Sequence, residues 1–292
     1  MNRGRAWLLA SRPATLLAVV APVLVGSGLA AGAGVFRGDA FAVAMISALL
    51  LNTGVNFAND ASDAGRGADT GSRIGPRRAV ASGWITPRAM WAGVAAAFSL
   101  AAAGGIYLSF IAGWPVLAIG AAAILAALGY TGGPAPYGYR GWGEVAVFIF
   151  FGVAATVGSR FVHDSTAPLD AWLLSVPVGM TAAAILVANN VRDLETDRAA
   201  GKRTLAVILG RGSARALYGL LVLGGFPLIA WFSLAGWTPP GAVIAVAAAP
   251  LAAVPLRTVA RETAGPALIG ALKATALLHA LTGALLAAGA AL

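Results

Sequence analysis

Nine stretches of almost unbroken apolar residues run along this chain, and they decide what it can fold into. They cover residues 14–34, 41–59, 90–111, 115–130, 144–161, 171–191, 215–234, 241–257 and 267–290. A helix needs about 20 apolar residues to cross the hydrocarbon core of a bilayer. Each stretch is near that length, with the fourth and fifth short. Strands of alternating polarity, the mark of an outer-membrane barrel, are absent from the sequence. Only 11% of the residues are charged, against about 25% in a soluble domain. The expected fold class is therefore all-α: an integral membrane bundle of nine transmembrane helices, read as one domain over residues 1–292. The first stretch is too long for the h-region of a signal peptide and is read as a retained helix. With no Cys, disulfides, thiolate chemistry and Cys-based metal sites are excluded.

The net charge of +9 would suggest nucleic acid in a soluble protein. Its distribution gives another reason. With the N-terminus inside, nine basic residues from Arg3 to Arg140 and eight from Arg192 to Arg261 fall on the cytoplasmic side, 17 of the 20 Lys and Arg. Arg37 and Arg160 fall on the other side, and Lys273 lies in the last stretch, near an end or facing the bundle interior. The positive-inside rule accounts for this bias, and no nucleic-acid partner is needed; the partner is the lipid bilayer.

Most acidic residues gather at two places. The second stretch ends in NFAND, with Asn56 and Asp60 four apart and Asp63 three further on. The sixth ends in NNVRDLETD, with Asn189, Asp193 and Asp197 at intervals of four. Residues spaced this way share one helical face. Carboxylates stacked near a helix C-terminus repel one another and oppose the dipole, so something must offset the cost. Hard oxygen ligands on adjacent turns suit Mg²⁺, which takes one or two carboxylates and completes its shell with water and phosphate oxygens. Arg66, Arg73, Arg77 and Arg78 follow the first cluster, and Arg198, Lys202 and Arg203 follow the second. Long loops, residues 60–89 and 192–214, are expected to carry them. The residues alone thus point to a diphosphate-headed lipid whose tail lies between helices. A plain interfacial charge network is the competing reading, and two clusters of one spacing weigh against it. A cation transporter would place its site near the midplane, whereas these clusters sit at helix ends.

Four stretches resemble the UbiA-type intramembrane prenyltransferases: SRPATLLAVVAPVLVG, NFANDASDAGRGAD with RIGPRRAVASGWI, YTGGPAPYGYRGWGEVAVFIFFG, and NNVRDLETDRAAGKRTLAVILG. Within that family they are most similar to the branch that prenylates 1,4-dihydroxy-2-naphthoate. The resemblance implies nine helices around a central cavity, with both Asp-rich motifs at the cytoplasmic face of a bacterial inner membrane. It implies Mg²⁺ on both motifs, a polyprenyl diphosphate that loses pyrophosphate, and attack by the naphthoate carbon that bears the carboxylate. Carbon dioxide then leaves, giving a demethylmenaquinol on the way to menaquinone. Carried over by position, Asn56, Asp60, Asp63, Asn189, Asp193 and Asp197 are the expected metal ligands, with Asp60 and Asp193 essential to catalysis. The wider family often carries a further Asp where Ala64 stands, and an aromatic pair where Ala61 and Ser62 stand. A sister enzyme acting on 4-hydroxybenzoate is the nearest alternative, and the Gly- and Tyr-rich loop at 130–143 speaks against it.

Further candidates follow. Lys202, Arg66, Arg77 and Arg203 are expected at the diphosphate. Glu144 is a candidate to take a phenolic proton from the acceptor, or pairs with Arg140. Tyr139, with Tyr130 and Tyr137, is placed to stack on a bicyclic aromatic. Asp69 reaches a second metal or pairs with Arg66 or Arg73. His163 and His279 are not convincing ligands.

Overall fold

The computed structural model describes residues 2–66, 75, 77–263 and 265–292. Asp69 and Arg73 lie outside them. A short helix α1 (Arg3–Ala10) precedes nine apolar ones: α2 (Pro13–Gly32), α3 (Gly38–Gly65), α4 (Pro87–Ala112), α5 (Pro115–Thr131), α6 (Gly143–Asp164), α7 (Leu169–Ala199), α8 (Leu205–Leu234), α9 (Pro240–Arg261) and α10 (Gly265–Ala290). Among the described residues there is no strand. Each of the nine apolar stretches falls on one helix. Eight are long and apolar enough to cross a membrane, and α5 has 17 residues, the lower end of the spanning range of about 17–25.

Local chemistry starts these helices where they start. Proline stands at the first helical position of α2, α4, α5 and α9, where its missing N–H would have had no partner. Thr86 caps α4 by accepting from Ala89 N–H. The seams rest on close backbone approach. A Cβ on Gly283 of α10 would stand 2.4 Å from the Cβ of Ala21 in α2, so the first and last spanning helices meet through small residues. A Cβ on Gly152 of α6 would stand 2.3 Å from Gly179 Cα in α7. That contact lies within a π-wound segment of α6, Phe148–Ala154.

Two of the apolar clusters show how the helices join. Trp7, Phe57, Met90 and Phe98 join α1, α3 and α4, and Val191, Leu194, Tyr218 and Leu278 join α7, α8 and α10. Phe110, Leu220, Leu234 and Val254 are exposed, as residues facing lipid would be. Lys273, expected near an end or facing inward, is exposed about two turns into α10, where its stem can snorkel.

The loops depart from expectation. Helix α3 continues to Gly65 and α7 to Ala199, while α8 begins at Leu205. The connection after α7 is therefore residues 200–204, not 192–214, and the one after α3 is residues 66–86. Hydropathy reports what a helix touches, whereas helix continuation depends on backbone propagation and packing. Both acidic clusters thus belong to the last turns of rigid helices. Gly210, with φ 78°, breaks α8 one turn in, after the apolar LAVIL, and the residue that follows reaches the end of α7. There Arg211 donates to Val191 O and pairs with Glu195.

The charged ends sort as the topology reading expects. Arg37, Asp39, Arg160 and Asp164 lie at one end of the bundle, joined as Arg37–Asp39 and Arg160–Asp164 pairs. His163 accepts there from Arg37 N–H and meets Ser27 Oγ at 3.2 Å. His279 bridges Thr181 Oγ1 at 2.7 Å and Ala18 O at 3.2 Å, tying α10 to α7 and α2. Neither histidine lines the main cavity. Nine crossings from a cytoplasmic N-terminus would place Leu292 on the opposite side. A reporter active only outside the cytoplasm, fused after Leu292, is expected to be active, and one inserted in the 66–86 loop silent; the reversed pattern would contradict this topology.

Candidate active site

A cavity of about 280 Å³ opens between α2, α3, α5, α6, α7 and α10. Its polar end holds Arg12, Asn56, Asn59, Asp63, Arg78, Asn189, Asn190, Asp193, Asp197 and Lys202, with Tyr130, Tyr137 and Tyr139 beside them. Its other end is lined by Ala18, Val19, Leu51, Phe150, Phe151 and Ile185. The two helix faces expected from the sequence thus meet across one cavity, polar above and apolar below.

Asp63 is the most heavily held carboxylate. Arg78 Nη2 lies 2.8 Å from its Oδ2, Lys202 Nζ lies 3.3 Å from its Oδ1, and Tyr139 donates its hydroxyl to the same Oδ1. Lys202 Nζ also sits 4.7 Å from the centre of the Tyr139 ring. These contacts gather the segment after Arg77, the Tyr137–Arg140 turn and the 200–204 connection around one oxygen pair. Arg203 N–H donates to Tyr139 O at 3.0 Å, which fixes the turn from behind. On the facing wall, Arg192 binds both oxygens of Asp193 at 2.7 and 2.5 Å and donates to Asn189 Oδ1 at 2.9 Å. Burial pushes the Tyr137 phenol, in the turn outside the spans, up to about 12, so it stays a proton donor; it donates to Ala126 O.

Several expectations change. Asp60 does not line the cavity. It is buried, and its two oxygens accept from Ala79 N–H at 2.9 Å and Val80 N–H at 3.0 Å. Those amides open a helical turn in which Ser82 N–H bonds Arg78 O and Trp84 N–H bonds Ala79 O. Asp60 thus caps this turn from a distance, as an anion at a helix start does. The side chain of α3 that faces Asp63 across one turn is Asn59, whose Oδ1 accepts from Thr131 Oγ1 at 2.9 Å. The matching pairs are Asn59 with Asp63 and Asn189 with Asp193, both four apart. Asn56 does line the cavity, one turn deeper, and its amide group donates to Ser11 O and Thr15 Oγ1.

Among the basic candidates, Lys202 lines the cavity, while the side chains of Arg77 and Arg203 are exposed outside its lining. Arg66 stays at the rim, donating to Gly133 O with its guanidinium 5.9 Å from the Tyr139 ring. Arg78 takes the place expected for Arg77. Arg12, unanticipated, also lines the cavity; it sits at φ 52° just before Pro13, a left-handed conformation that costs a non-glycine residue about 1 kcal/mol or more. That break between α1 and α2 turns its side chain inward. Glu144 is buried behind the cavity wall, with Oε1 accepting from Asn190 Nδ2 at 2.8 Å and Oε2 without a partner among the described residues. Asn190, not Glu144, reaches the cavity, and Arg140 is not the partner.

The carboxylates and amides lining the polar end, Asn59 and Asp63 on one wall and Asn189, Asp193 and Asp197 on the other, are all oxygen donors. Hard divalent cations favour such a set. Among the described residues no three or more His, Cys, Asp or Glu form a cage. Mg²⁺ is held by one or two carboxylates plus phosphate oxygens rather than by an all-protein cage, so the donor set fits Mg²⁺ arriving with a phosphate ligand.

Residues 19–269 match the UbiA prenyltransferase family, and the chain belongs to that family. It is 39% identical over 274 residues to a 1,4-dihydroxy-2-naphthoate octaprenyltransferase of Mycobacterium tuberculosis, covering 93% of this chain and 91% of that one. The enzyme of the same name from Escherichia coli is 35% identical, over 90% and 87%. A UbiA homolog from Archaeoglobus fulgidus, solved bound to GPP and Mg²⁺, superposes with a TM-score of 0.68 at 18% identity, covering 96% of this chain and 99% of that one.

The geometry of Asp60 yields a test. Asp60→Ala leaves two amides without an acceptor and should destabilise the solubilised protein by about 2–3 kcal/mol, read as a fall in Tm, with Asp60→Asn intermediate. A metal ligand would behave oppositely, since removing it relieves repulsion between acids; an unchanged or raised Tm in Asp60→Ala would contradict the capping role.

Proposed function

We propose that this protein transfers a polyprenyl group from its diphosphate to 1,4-dihydroxy-2-naphthoate, with Mg²⁺ as cofactor, at the cytoplasmic face of the bacterial inner membrane. The observation that carries the reading is the single cavity in which two oxygen-donor helix faces and buried cations stand above an apolar, aromatic-walled chamber. That is the shape of a molecule with a diphosphate head and a hydrocarbon tail. The distribution of Lys and Arg supports the orientation, and the named relatives support the acceptor.

Lys202 and Arg78, which otherwise pair with Asp63, bind the diphosphate oxygens together with Arg12 at the cavity wall. Asp63 and Asn59 on one wall and Asp193, Asp197 and Asn189 on the other would hold Mg²⁺, which would supply charge that makes pyrophosphate a better leaving group. The C1–O bond of the donor breaks with its electron pair leaving on pyrophosphate. The rings of Phe150 and Phe151 line the chamber below, with Tyr130 at its polar edge, where π-faces favour an allylic cation and apolar walls keep water from capturing it. A bond forms between C1 and the naphthoate carbon bearing the carboxylate, as a phenolic proton leaves. Carbon dioxide then departs, its bonding pair returns to the ring, and a proton restores the quinol. Tyr139 holds Asp63 in place, and Asn190, set by Glu144, presents its amide beside the acceptor. Glu144 is a positioning residue in this account, because it lies behind the wall.

Purified protein incubated with Mg²⁺, geranylgeranyl diphosphate and either 1,4-dihydroxy-2-naphthoate or 4-hydroxybenzoate tests the reading. Prenylated naphthoquinol with release of carbon dioxide is expected from the first alone, and chelation of Mg²⁺ should stop it. Preference for 4-hydroxybenzoate, or turnover indifferent to chelation, would refute it.

Neighbouring arginines should separate sharply. Arg78→Ala and Lys202→Ala each remove a charged hydrogen bond to the diphosphate, which costs about 1.5–3 kcal/mol and should raise its KM about ten- to a hundredfold. Arg77→Ala should leave that KM unchanged. Equal effects at 77 and 78, or a rise only in the naphthoate KM, would show that the loop serves otherwise.

A further inference from the structure

Below the active-site cavity lies a second one of about 160 Å³, which the chemistry above does not use. The two share Ala48, Leu51, Ala123, Phe150 and Ala155 in their walls, so they are adjoining chambers with one partition. The second chamber runs between α3, α4, α5 and α6 toward the end of the bundle that carries Arg37 and Arg160. Apart from Ser47 and Ser159, no polar side chain among the described residues lines it. Its bore is kept by glycine on three helices: a Cβ added at Gly105, Gly120 or Gly158 meets no atom within 4 Å. A helix-interior glycine costs about 1 kcal/mol relative to alanine, and here no close helix contact repays it. What the three share is the empty space they face.

The partition is also unusual. Phe150 lies in the π-wound segment of α6, and it and Phe151 both line the active-site cavity. Wide turns of this kind recur at functional positions. Phe150 alone of the two also lines the lower chamber, so its ring stands at the passage between them.

We infer that the lower chamber is a chain-length site, which takes the distal isoprene units of the donor while the diphosphate sits among Asp63, Asp193 and Lys202. This rests on the prenyl-transfer reading above and adds where the tail goes. Continuity with the reacting end singles out the donor tail over a bilayer acyl chain: the chamber begins at the aromatic wall where the allylic carbon is held. Gly105, Gly120, Gly158 and Phe150 are then specificity-determining residues for donor length. A short donor ends above Phe150 and a long one passes it.

Gly120→Leu and Gly158→Leu fill the chamber from two different helices without touching the diphosphate end. Steady-state transfer is measured with geranyl diphosphate and with octaprenyl diphosphate for each variant and the wild type. The inference expects transfer from geranyl diphosphate to be unchanged, which also reports a folded active site. It expects kcat/KM for octaprenyl diphosphate to fall about tenfold or more, as buried methylene groups are displaced. Variants that treat both donors as the wild type does, as they would if a membrane lipid filled the chamber, overturn it; so does an equal loss with both donors in both variants. A wild-type protein that transfers neither donor would instead refute the proposed function.

Discussion

Everything at the polar end of this bundle depends on keeping two buried carboxylates compensated. Asp63 and Asp193 lie almost wholly inside the protein, where an uncompensated charge is expensive. Each is met by cations from elsewhere: Arg78 and Lys202 at Asp63, Arg192 at Asp193. Because the partners of Asp63 arrive from three different connections, that one carboxylate fixes how those connections close over the cavity. Asp60, one turn back and on another face of α3, performs the complementary task by holding the backbone of the turn that delivers Arg78. The first acidic cluster therefore divides its labour, one aspartate for the site and one for the loop that completes it.

The apolar half follows a different economy. The bundle meets at glycine and alanine seams such as Gly283 against Ala21, where close approach replaces a large hydrophobic core. Elsewhere glycines that touch nothing leave open volume beneath the charged end. Small residues thus do two things in one protein: they pull α2 and α10 together, and they hollow out the space between α3 and α6. Charge above and volume below give the cavity a polarity that matches a diphosphate lipid.

Much of this was legible in the residues, and the failures are instructive. Nine apolar stretches marked nine helices because lipid exposure demands long apolar runs. Their ends differ at α7, whose polar last turns stay helical with Asp193 and Asp197 facing the cavity, and at α8, whose apolar first turn is cut off from the long run by Gly210 and Arg211. The Asn-to-Asp interval of four was correctly seen as a shared face, but NFAND contains two asparagines. Asn56 with Asp60 and Asn59 with Asp63 both satisfy the interval, and only packing tells that the second pair faces the chamber. Arg77 and Arg78 could not be told apart because the loop has no period; the cap from Asp60 decides which one turns inward. Arg12 was hidden for a backbone reason, since nothing but its φ of 52° before Pro13 aims it at the site. Lys202 is legible because it follows directly on the second motif, whereas Tyr139 is expected for its ring and the structure shows its hydroxyl bound to Asp63.

The central claim is that the two walls, Asp63 on α3 and Asp193 on α7, make one Mg²⁺-diphosphate site. Titration of inorganic pyrophosphate into the solubilised protein, followed calorimetrically with and without Mg²⁺, tests it through Asp63→Asn, Asp193→Asn and the double variant. One shared site predicts binding only with Mg²⁺, a similar loss in each single variant, and little further loss in the double, the non-additivity of groups that act together. Binding that needs no Mg²⁺, or losses that simply add, would mean that the two aspartates serve separate ends.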